Sequence, residues 1–217
     1  MKLLVFGAGV LGCNLANNLF RAGKDVTLLA RGPWAEEIRS KGLRIKNTLS
    51  RRTAVNRIPV AEELSPEDAY DVIFVAVRYT QIETILETLR ASRAKTIIFV
   101  GNNVCASETA AYLPEKNVLF AFTSAAGHRE SNYVDSVDLR KITVGPLRGA
   151  AYRKTCFRFF KLMCATVLGK ICASDHAMNA VDEMRALNRD IKTFFDAVDA
   201  EYQVWQALEA ECGRYLL

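Results

Sequence analysis

The chain has 217 residues, of which 50% are hydrophobic and 24% are charged, with a formal net charge of +5. This balance is typical of a folded globular protein and excludes a fibrous or disordered chain, and the length allows one full domain plus a smaller appendage. The longest apolar runs, TIIFV and VIFVAV, are too short to cross a bilayer and are typical of buried strands, so we expect no membrane partner.

The cysteines and histidines of the sequence indicate the cellular compartment and limit the kinds of site that the chain could form. The six cysteines show no paired C-x-x-C spacing, and no signal sequence precedes the first strand-like run, so we predict a cytoplasmic protein with cysteines that are small buried residues. No Cys/His spacing indicates a metal site. The two histidines, His128 and His176, stand alone in a predicted loop and a predicted helix start, so we favour a structural or solvated role for both over catalysis.

Seven basic residues cluster in one short part of the sequence: Arg39, Lys41, Arg44, Lys46, Arg51, Arg52 and Arg57. Such a cluster could attract a polyanion. No zinc-finger or RNA-binding aromatic motif accompanies it, so we favour a solvated basic face and predict no nucleic-acid partner.

The first part of the chain alternates between strand and helix patterns. KLLVF predicts a buried strand, and the helix after it begins beyond Gly9 and stops at Gly23. DVTLLA predicts a second strand, followed by a helix with Pro33 near its start and Gly42 just past its end.

The alternation continues to about Gly149. Short strands and turns span LRI to RIPVAEEL, DVIFVAV and TIIFV predict buried strands, and TQIETILETLRAS between them predicts a helix. NVLFAF and VDLRKITVG predict further strands. We therefore predict an α/β fold, a Rossmann-type, doubly wound and mostly parallel sheet over residues 1–149.

Residues 150–217 predict a helical extension. A long helix capped by Ser174 or Asp175 carries an apolar stripe of Met184, Leu187, Ile191, Phe194, Val198, Trp205 and Leu208. Either this stripe packs on the chain's own sheet domain and preceding helix, or it pairs with a second copy in a homodimer.

Three glycines form a G-x-G-x-x-G motif between the first strand and the first helix. Gly7 permits a tight turn, Gly9 lets the backbone approach a pyrophosphate, and Gly12 lets helix and strand pack closely. The helix N-terminus attracts the negative charge of the phosphates. We therefore predict a dinucleotide-binding loop made of Gly7, Ala8, Gly9, Val10, Leu11 and Gly12.

The second strand indicates which dinucleotide binds. An NAD site usually ends this strand with Asp or Glu, which holds the ribose hydroxyls, whereas LLARG places Arg31 there. A guanidinium favours a 2′-phosphate, so we predict NADP. The alternative is that Arg31 is a surface charge beyond the strand.

These segments together resemble the ketopantoate reductase (2-dehydropantoate 2-reductase) family. The resemblance rests on VFGAGVLG, VTLLARGPWAEEIRSKGLRI, VAVRYTQIETIL and IIFVGNNV, and covers about the first 150 residues. It implies NADPH-dependent reduction of a 2-keto acid by a Rossmann domain that is followed by a helical substrate domain.

The resemblance also implies site residues. Arg78 stands where the family commonly has the lysine of a V-K-x-x-Q motif, so Val77, Arg78 and Gln81 are expected at the cofactor. Asn102 matches the asparagine at the nicotinamide and substrate end, and Asn103 replaces the glycine after it. Arg78 and Asn102 are therefore the candidate catalytic residues, which would orient and polarise the substrate.

The chain departs from the family where a catalytic lysine is expected. SDHAMNAVDEMRALN offers Met184 or Arg185 near that place, and neither is a natural general acid. Three functions follow: an NADP-dependent reductase of a 2-keto acid or similar small carbonyl, a reductase of another substrate class in the wider β-hydroxyacid dehydrogenase superfamily, or a non-catalytic NADP-binding sensor or interaction protein.

Overall fold

The computed structural model of the chain describes residues 1–101, 103, 106–146, 185 and 189. The elements are β1 (Lys2–Phe6), α1 (Val10–Arg21), β2 (Asp25–Leu29), α2 (Gly32–Lys41), β3 (Leu43–Asn47), β4 (Thr53–Asn56), β5 (Val60–Ala61), β6 (Val72–Val75), a 3-10 turn (Tyr79–Gln81), α3 (Ile82–Ala91), β7 (Thr96–Val100), α4 (Ala106–Tyr112), β8 (Asn117–Arg129) and β9 (Val134–Gly145).

Nine strands of the described residues form one sheet in the order β4-β3-β9-β8-β7-β6-β1-β2-β5. From β5 through β2, β1, β6 and β7 to β8 every pairing is parallel, with β1 between β2 and β6. This is the doubly wound order in which the strand succession reverses beside β1. The predicted α/β fold class is confirmed.

Apolar clusters cover both faces of the sheet because the central strands carry runs of consecutive apolar residues. In β1, Leu3 and Val5 pack with the α1 and α2 side, whereas Leu4 and Phe6 pack with the α3 side. All four side chains are at most 3% exposed. Burying one such side chain contributes roughly 1.5–3 kcal/mol, so these two layers hold the strand ends in place.

The last two strands extend further than the sequence predicts. NVLFAF continues as β8 to Arg129, so His128 lies in a strand and not in the predicted loop. The run SAAGHR lacks the β-branched residues and the Phe, Tyr or Trp that indicate strands, and pairing with β9 decides its conformation. The sequence also gives no signal for α4, whose buried residues are only Ala106 and Thr109.

The first half of β9 contacts α1 through a polar seam. The Asn14 side-chain amide donates to the Ser136 hydroxyl at 3.0 Å, and the Asn18 amide donates to the Asp138 carboxylate at 2.6 Å. Asn14 and Ser136 are buried, at 4% and 1% exposure, and they satisfy each other. This seam holds the end of the β8–β9 ribbon against the helix that follows the glycine loop.

Four of the seven clustered basic residues form ion pairs with nearby carboxylates. Lys41 and Arg44 both contact Glu37, and Arg39 contacts Glu62. Lys46 contacts Asp135 at 2.8 Å. Much of the positive charge that the sequence shows in this region is therefore neutralised locally.

The predicted division at residue 149 and the helical extension over 150–217 lie outside the described residues, apart from Arg185 and Arg189, which are helical. The apolar stripe and the homodimer stay predictions. Among the described helices, none is long and apolar enough to span a bilayer.

Asp135 is a buried carboxylate, 6% exposed, that joins β9 to β3. It accepts hydrogen bonds from the Lys46 ammonium and the Thr48 hydroxyl. Burial works to raise its pKa, but these two hydrogen bonds and the charges of Lys46 and His128 outweigh burial, so the pKa of Asp135 lies below its ordinary value.

We expect Asp135→Asn to lower the free energy of unfolding by about 1–3 kcal/mol at neutral pH, because the Lys46 ammonium loses its charged acceptor. Since the folded-state pKa is depressed, this contribution is present above the unfolded pKa of about 3.9 and is lost as the pH falls through the folded pKa. Urea unfolding of both proteins from neutral pH downward measures it. Glu115→Gln, at an exposed position, is the control, and a difference that does not shrink in acid would contradict the assignment.

Candidate cofactor-binding site

The glycine loop joins the end of β1 to the start of α1. Gly7 has φ +111°, and a Cβ there would stand 2.6 Å from the Ala76 carbonyl oxygen beyond β6. A Cβ on Gly12 would stand 1.9 Å from the Gly7 carbonyl oxygen. Backbone atoms therefore exclude side chains at these two positions, in agreement with the tight turn predicted at Gly7 and the close helix–strand packing predicted at Gly12.

Gly9 differs from its two neighbours in the motif. Apart from Gly9 itself and its two chain neighbours, no atom of the described residues lies within 4 Å of the position that a Cβ on Gly9 would take. Gly9 is the N-cap of α1, and the first helical bond runs from the Cys13 amide to the Gly9 carbonyl at 2.9 Å. The amides of Val10 and Leu11 precede that bond and have no acceptor within the helix.

The start of α1 therefore fits an anion. No described side chain caps the helix, and its first turn contains no acidic residue. Free amides, the positive end of the helix dipole and open space over Gly9 together form a cradle for a phosphate group. We refer to residues 7–12 as the phosphate cradle.

Trp34 holds the cradle from a second direction, which sequence reasoning missed. Its indole N–H donates to the Ala8 carbonyl at 3.1 Å, and its side chain is 7% exposed.

The neighbouring Cys13 is fully buried, and burial raises the pKa of its thiol to about 12 although a hydrogen bond with Trp34 opposes this. Cys13 is thus a buried thiol, as predicted for the cysteines, and not a nucleophile.

Arg31 lies at the end of β2, beside the cradle, as the N-cap of α2. Its guanidinium lies over the Phe6 ring at 6.0 Å, and its Nε donates to the Glu62 carbonyl at 3.3 Å. In the described part of the chain no carboxylate forms an ion pair with Arg31. An exposed, uncompensated guanidinium therefore stands at the strand end where a dinucleotide's adenosine ribose is recognised.

Val77, Arg78 and Gln81 follow β6 on the same edge of the sheet. Val77 lies against Gly7, since its Cγ1 is 3.0 Å from the position of a Gly7 Cβ. The Gln81 side-chain oxygen accepts a hydrogen bond from the Arg78 amide at 3.2 Å, and the Gln81 amide donates to the Arg78 carbonyl at 2.9 Å. Gln81 thereby shapes the turn that presents the exposed Arg78 side chain.

The end of β7 reaches the same place. Gly101 has φ +114°, and the position of its Cβ is 3.5 Å from Leu11 in the first turn of α1. Asn102, Met184, Cys105 and His176 lie outside the described residues. Asn103 and Arg185 are described, and each has buried side-chain polar atoms without a hydrogen-bond partner in the described residues.

The described residues contain no cluster of three or more His, Cys, Asp or Glu side chains that could hold a metal ion. His128 Nε2 lies 3.3 Å from a Glu130 carboxylate oxygen on the β8–β9 ribbon. The structure brings the glycine motif, Arg31, Val77, Arg78 and Gln81 to one sheet edge, where free backbone amides and exposed guanidinium groups offer hydrogen-bond donors to an anionic ligand.

Comparisons with known proteins agree with this geometry. Residues 3–149 match the family described as ketopantoate reductase PanE/ApbA. The 2-dehydropantoate 2-reductase of Pyrococcus abyssi is 29% identical over 105 residues, covering 48% of this chain and 34% of that protein. The enzyme of the same name from Mesorhizobium japonicum is 40% identical over 70 residues, covering 31% of this chain and 22% of that protein. The chain thus spans about a third or less of these relatives.

Solved structures show the same fold at low identity. A PanE/ApbA family ketopantoate reductase from Ralstonia eutropha JMP134 aligns with a TM-score of 0.68 at 15% identity and covers 100% of this chain and 98% of its own. A ternary structure of D-mandelate dehydrogenase with NADH and anilino(oxo)acetate aligns with a TM-score of 0.57 at 20% identity, covering 73% of this chain and 53% of its own. Since the family match spans more than half of the sequence, the chain belongs to the ketopantoate reductase family.

Proposed function

We propose that the chain binds NADP and uses NADPH to reduce a 2-keto acid or a similar small carbonyl compound. The observation that carries the proposal is the phosphate cradle, with open space over Gly9 and unpaired amides at the start of α1. The relatives named 2-dehydropantoate 2-reductase support reduction of a keto acid over the non-catalytic sensor.

The choice of NADP over NAD rests on Arg31. A carboxylate at the end of β2 would bind the ribose hydroxyls of NAD and repel a 2′-phosphate. Arg31 instead offers a guanidinium that no described carboxylate neutralises, and guanidinium groups bind phosphate through two parallel hydrogen bonds. The relative solved with NADH supports the nicotinamide class of cofactor, and Arg31 supports its phosphorylated form.

Bound NADPH would supply the hydride. The residues of this chain would position it: the cradle would hold the pyrophosphate, and Val77 would close the loop beneath it. Arg78, on the turn shaped by Gln81, would bind the substrate carboxylate and polarise its carbonyl. Asn102 would complete that end of the site. Asn103 is a further candidate because its buried amide has no partner among the described residues.

A cytoplasmic location and a homodimer through the C-terminal helices belong to the same proposal. The buried free thiol of Cys13 supports the first. The apolar stripe over residues 184–208 supports the second.

The activity is tested by following the loss of NADPH absorbance with a panel of 2-keto acids, one at a time. We expect turnover with at least one of them and a loss of about tenfold or more in kcat/KM for Arg78→Ala, because orientation and polarisation of the carbonyl would be lost. Arg93→Ala, an exposed arginine on the loop after α3, is the control. Tight NADPH binding without turnover on any substrate would favour the sensor.

Cofactor choice is tested at Arg31. We expect Arg31→Ala to weaken NADPH binding by about tenfold or more and to leave NADH binding within about twofold, since one charged hydrogen-bond partner of the 2′-phosphate is removed. Isothermal titration with both cofactors measures this. Arg21→Ala, at the far end of α1, controls for net charge. Equal losses for NADPH and NADH would contradict the assignment.

Two of the three cradle glycines, Gly12 and Gly9, allow the effect of a substitution on stability to be separated from its effect on binding. Gly12→Ala places a methyl group 1.9 Å from a backbone oxygen, so we expect the free energy of unfolding to fall by about 3 kcal/mol or more. Gly9→Ala fits its φ of −79° and meets no described atom, so the fold should keep its stability while NADPH binding falls at least about tenfold. Thermal unfolding and titration of each variant check both expectations. A Gly9→Ala protein that binds NADPH normally would place the phosphates elsewhere.

A further inference from the structure

Arg129, the last residue of β8, lies at the phosphate cradle although 121 positions separate it from Ala8 in the sequence. Its guanidinium Nη1 is 3.5 Å from the Ala8 carbonyl oxygen. The same guanidinium lies over the Trp34 ring at 5.4 Å, and Trp34 donates its indole N–H to that same carbonyl. The long β8–β9 ribbon, held to α1 by the polar seam, brings this arginine to the loop.

The positive charge of Arg129 is uncompensated in the described structure. Its neighbour Glu130 contacts His128 at 3.3 Å, and no described carboxylate forms an ion pair with Arg129. The Ala8 carbonyl is its sole described acceptor, at the long end of hydrogen-bond distances, whereas a guanidinium has five N–H donors. The charge also acts on the interior of the loop, since it opposes the raised pKa of the Cys13 thiol.

We propose that Arg129 is a second phosphate-binding arginine of this site and that it contacts the pyrophosphate of the bound dinucleotide. The inference rests on the proposed function. Ala8 precedes Gly9 directly, and the space over Gly9 is where a phosphate meets the free amides of α1. A guanidinium held within reach of the Ala8 carbonyl therefore borders that space, and its stack on Trp34 orients it before the ligand arrives.

In this proposal the two arginines bind different phosphate groups of the cofactor. Arg31 lies over Phe6 at the end of β2, where the ribose and its 2′-phosphate are recognised. Arg129 lies over Trp34 beside the cradle itself. Arg31 thus selects between NADP and NAD, whereas Arg129 strengthens binding of every ligand that carries the pyrophosphate.

The test uses four probes on the full chain: NADPH, NADH, ADP and adenosine 2′-monophosphate. We expect Arg129→Gln to weaken NADPH, NADH and ADP by a similar factor of about ten, because one charge-assisted contact to the pyrophosphate is lost, and to leave adenosine 2′-monophosphate within about twofold. Arg31→Ala should do the reverse, weakening NADPH and adenosine 2′-monophosphate alone. Arg21→Gln changes the net charge equally and should weaken none of the probes.

Arg129→Lys keeps the charge and covers the case in which Arg129→Gln unfolds. The affinity of Arg129→Lys for ADP should be lower than that of the original protein by no more than about threefold, because lysine lacks the planar fork of N–H donors that arginine has. If both variants are folded and bind ADP and NADH with unchanged affinity, the pyrophosphate assignment is wrong. It is also wrong if Arg129→Gln weakens binding of adenosine 2′-monophosphate as much as binding of ADP and NADH. If the unaltered chain binds none of the four probes, the proposed function itself fails.

Discussion

The close approach of three backbone segments is the constraint on which the site depends. Gly7, Gly12 and Ala76 come so near to one another that a Cβ on either glycine would overlap a carbonyl oxygen. This contact brings the end of β1, the end of β6 and the first turn of α1 together. The first amides of α1 have no acceptor within the helix and no side-chain cap, and they lie next to the open space over Gly9.

The cradle is supported by three further residues, each from a different element of the fold. Val77 packs beneath Gly7 from the turn after β6. Trp34, in the first turn of α2, donates to the Ala8 carbonyl, and Arg129 reaches the same carbonyl from the end of β8. A loop held in this way loses little conformational entropy when a ligand binds, so more of the interaction energy appears as affinity.

The sequence predicts local features well and long-range contacts poorly, for physical reasons. The apolar runs predict most of the strands and helices, and Pro33 and Gly42 predict the two ends of α2, because these signals act within a few residues. Asp135 and Ser136 illustrate the opposite case: these two residues are buried, and their hydrogen-bond partners, Lys46 and Asn14, are 89 and 122 positions away. Similarly, nothing in GPW or GHR indicates that a tryptophan and an arginine meet over one carbonyl. The glycine motif predicts where the phosphate cradle lies, while only the fold shows which side chains surround it.

The basic residues of this chain constrain the chemistry of the proposed reductase. The resemblance to the family implies that Arg78 takes the place of a lysine after β6, and that Met184 or Arg185 lies near the sequence position of a second, catalytic lysine. An arginine keeps its proton at any pH at which the protein is folded, so it orients a carboxylate and stabilises developing negative charge without donating that proton. In the proposed reaction these arginines therefore act electrostatically. In that proposal the proton that reaches the carbonyl oxygen would come from water or from a side chain of lower pKa than arginine.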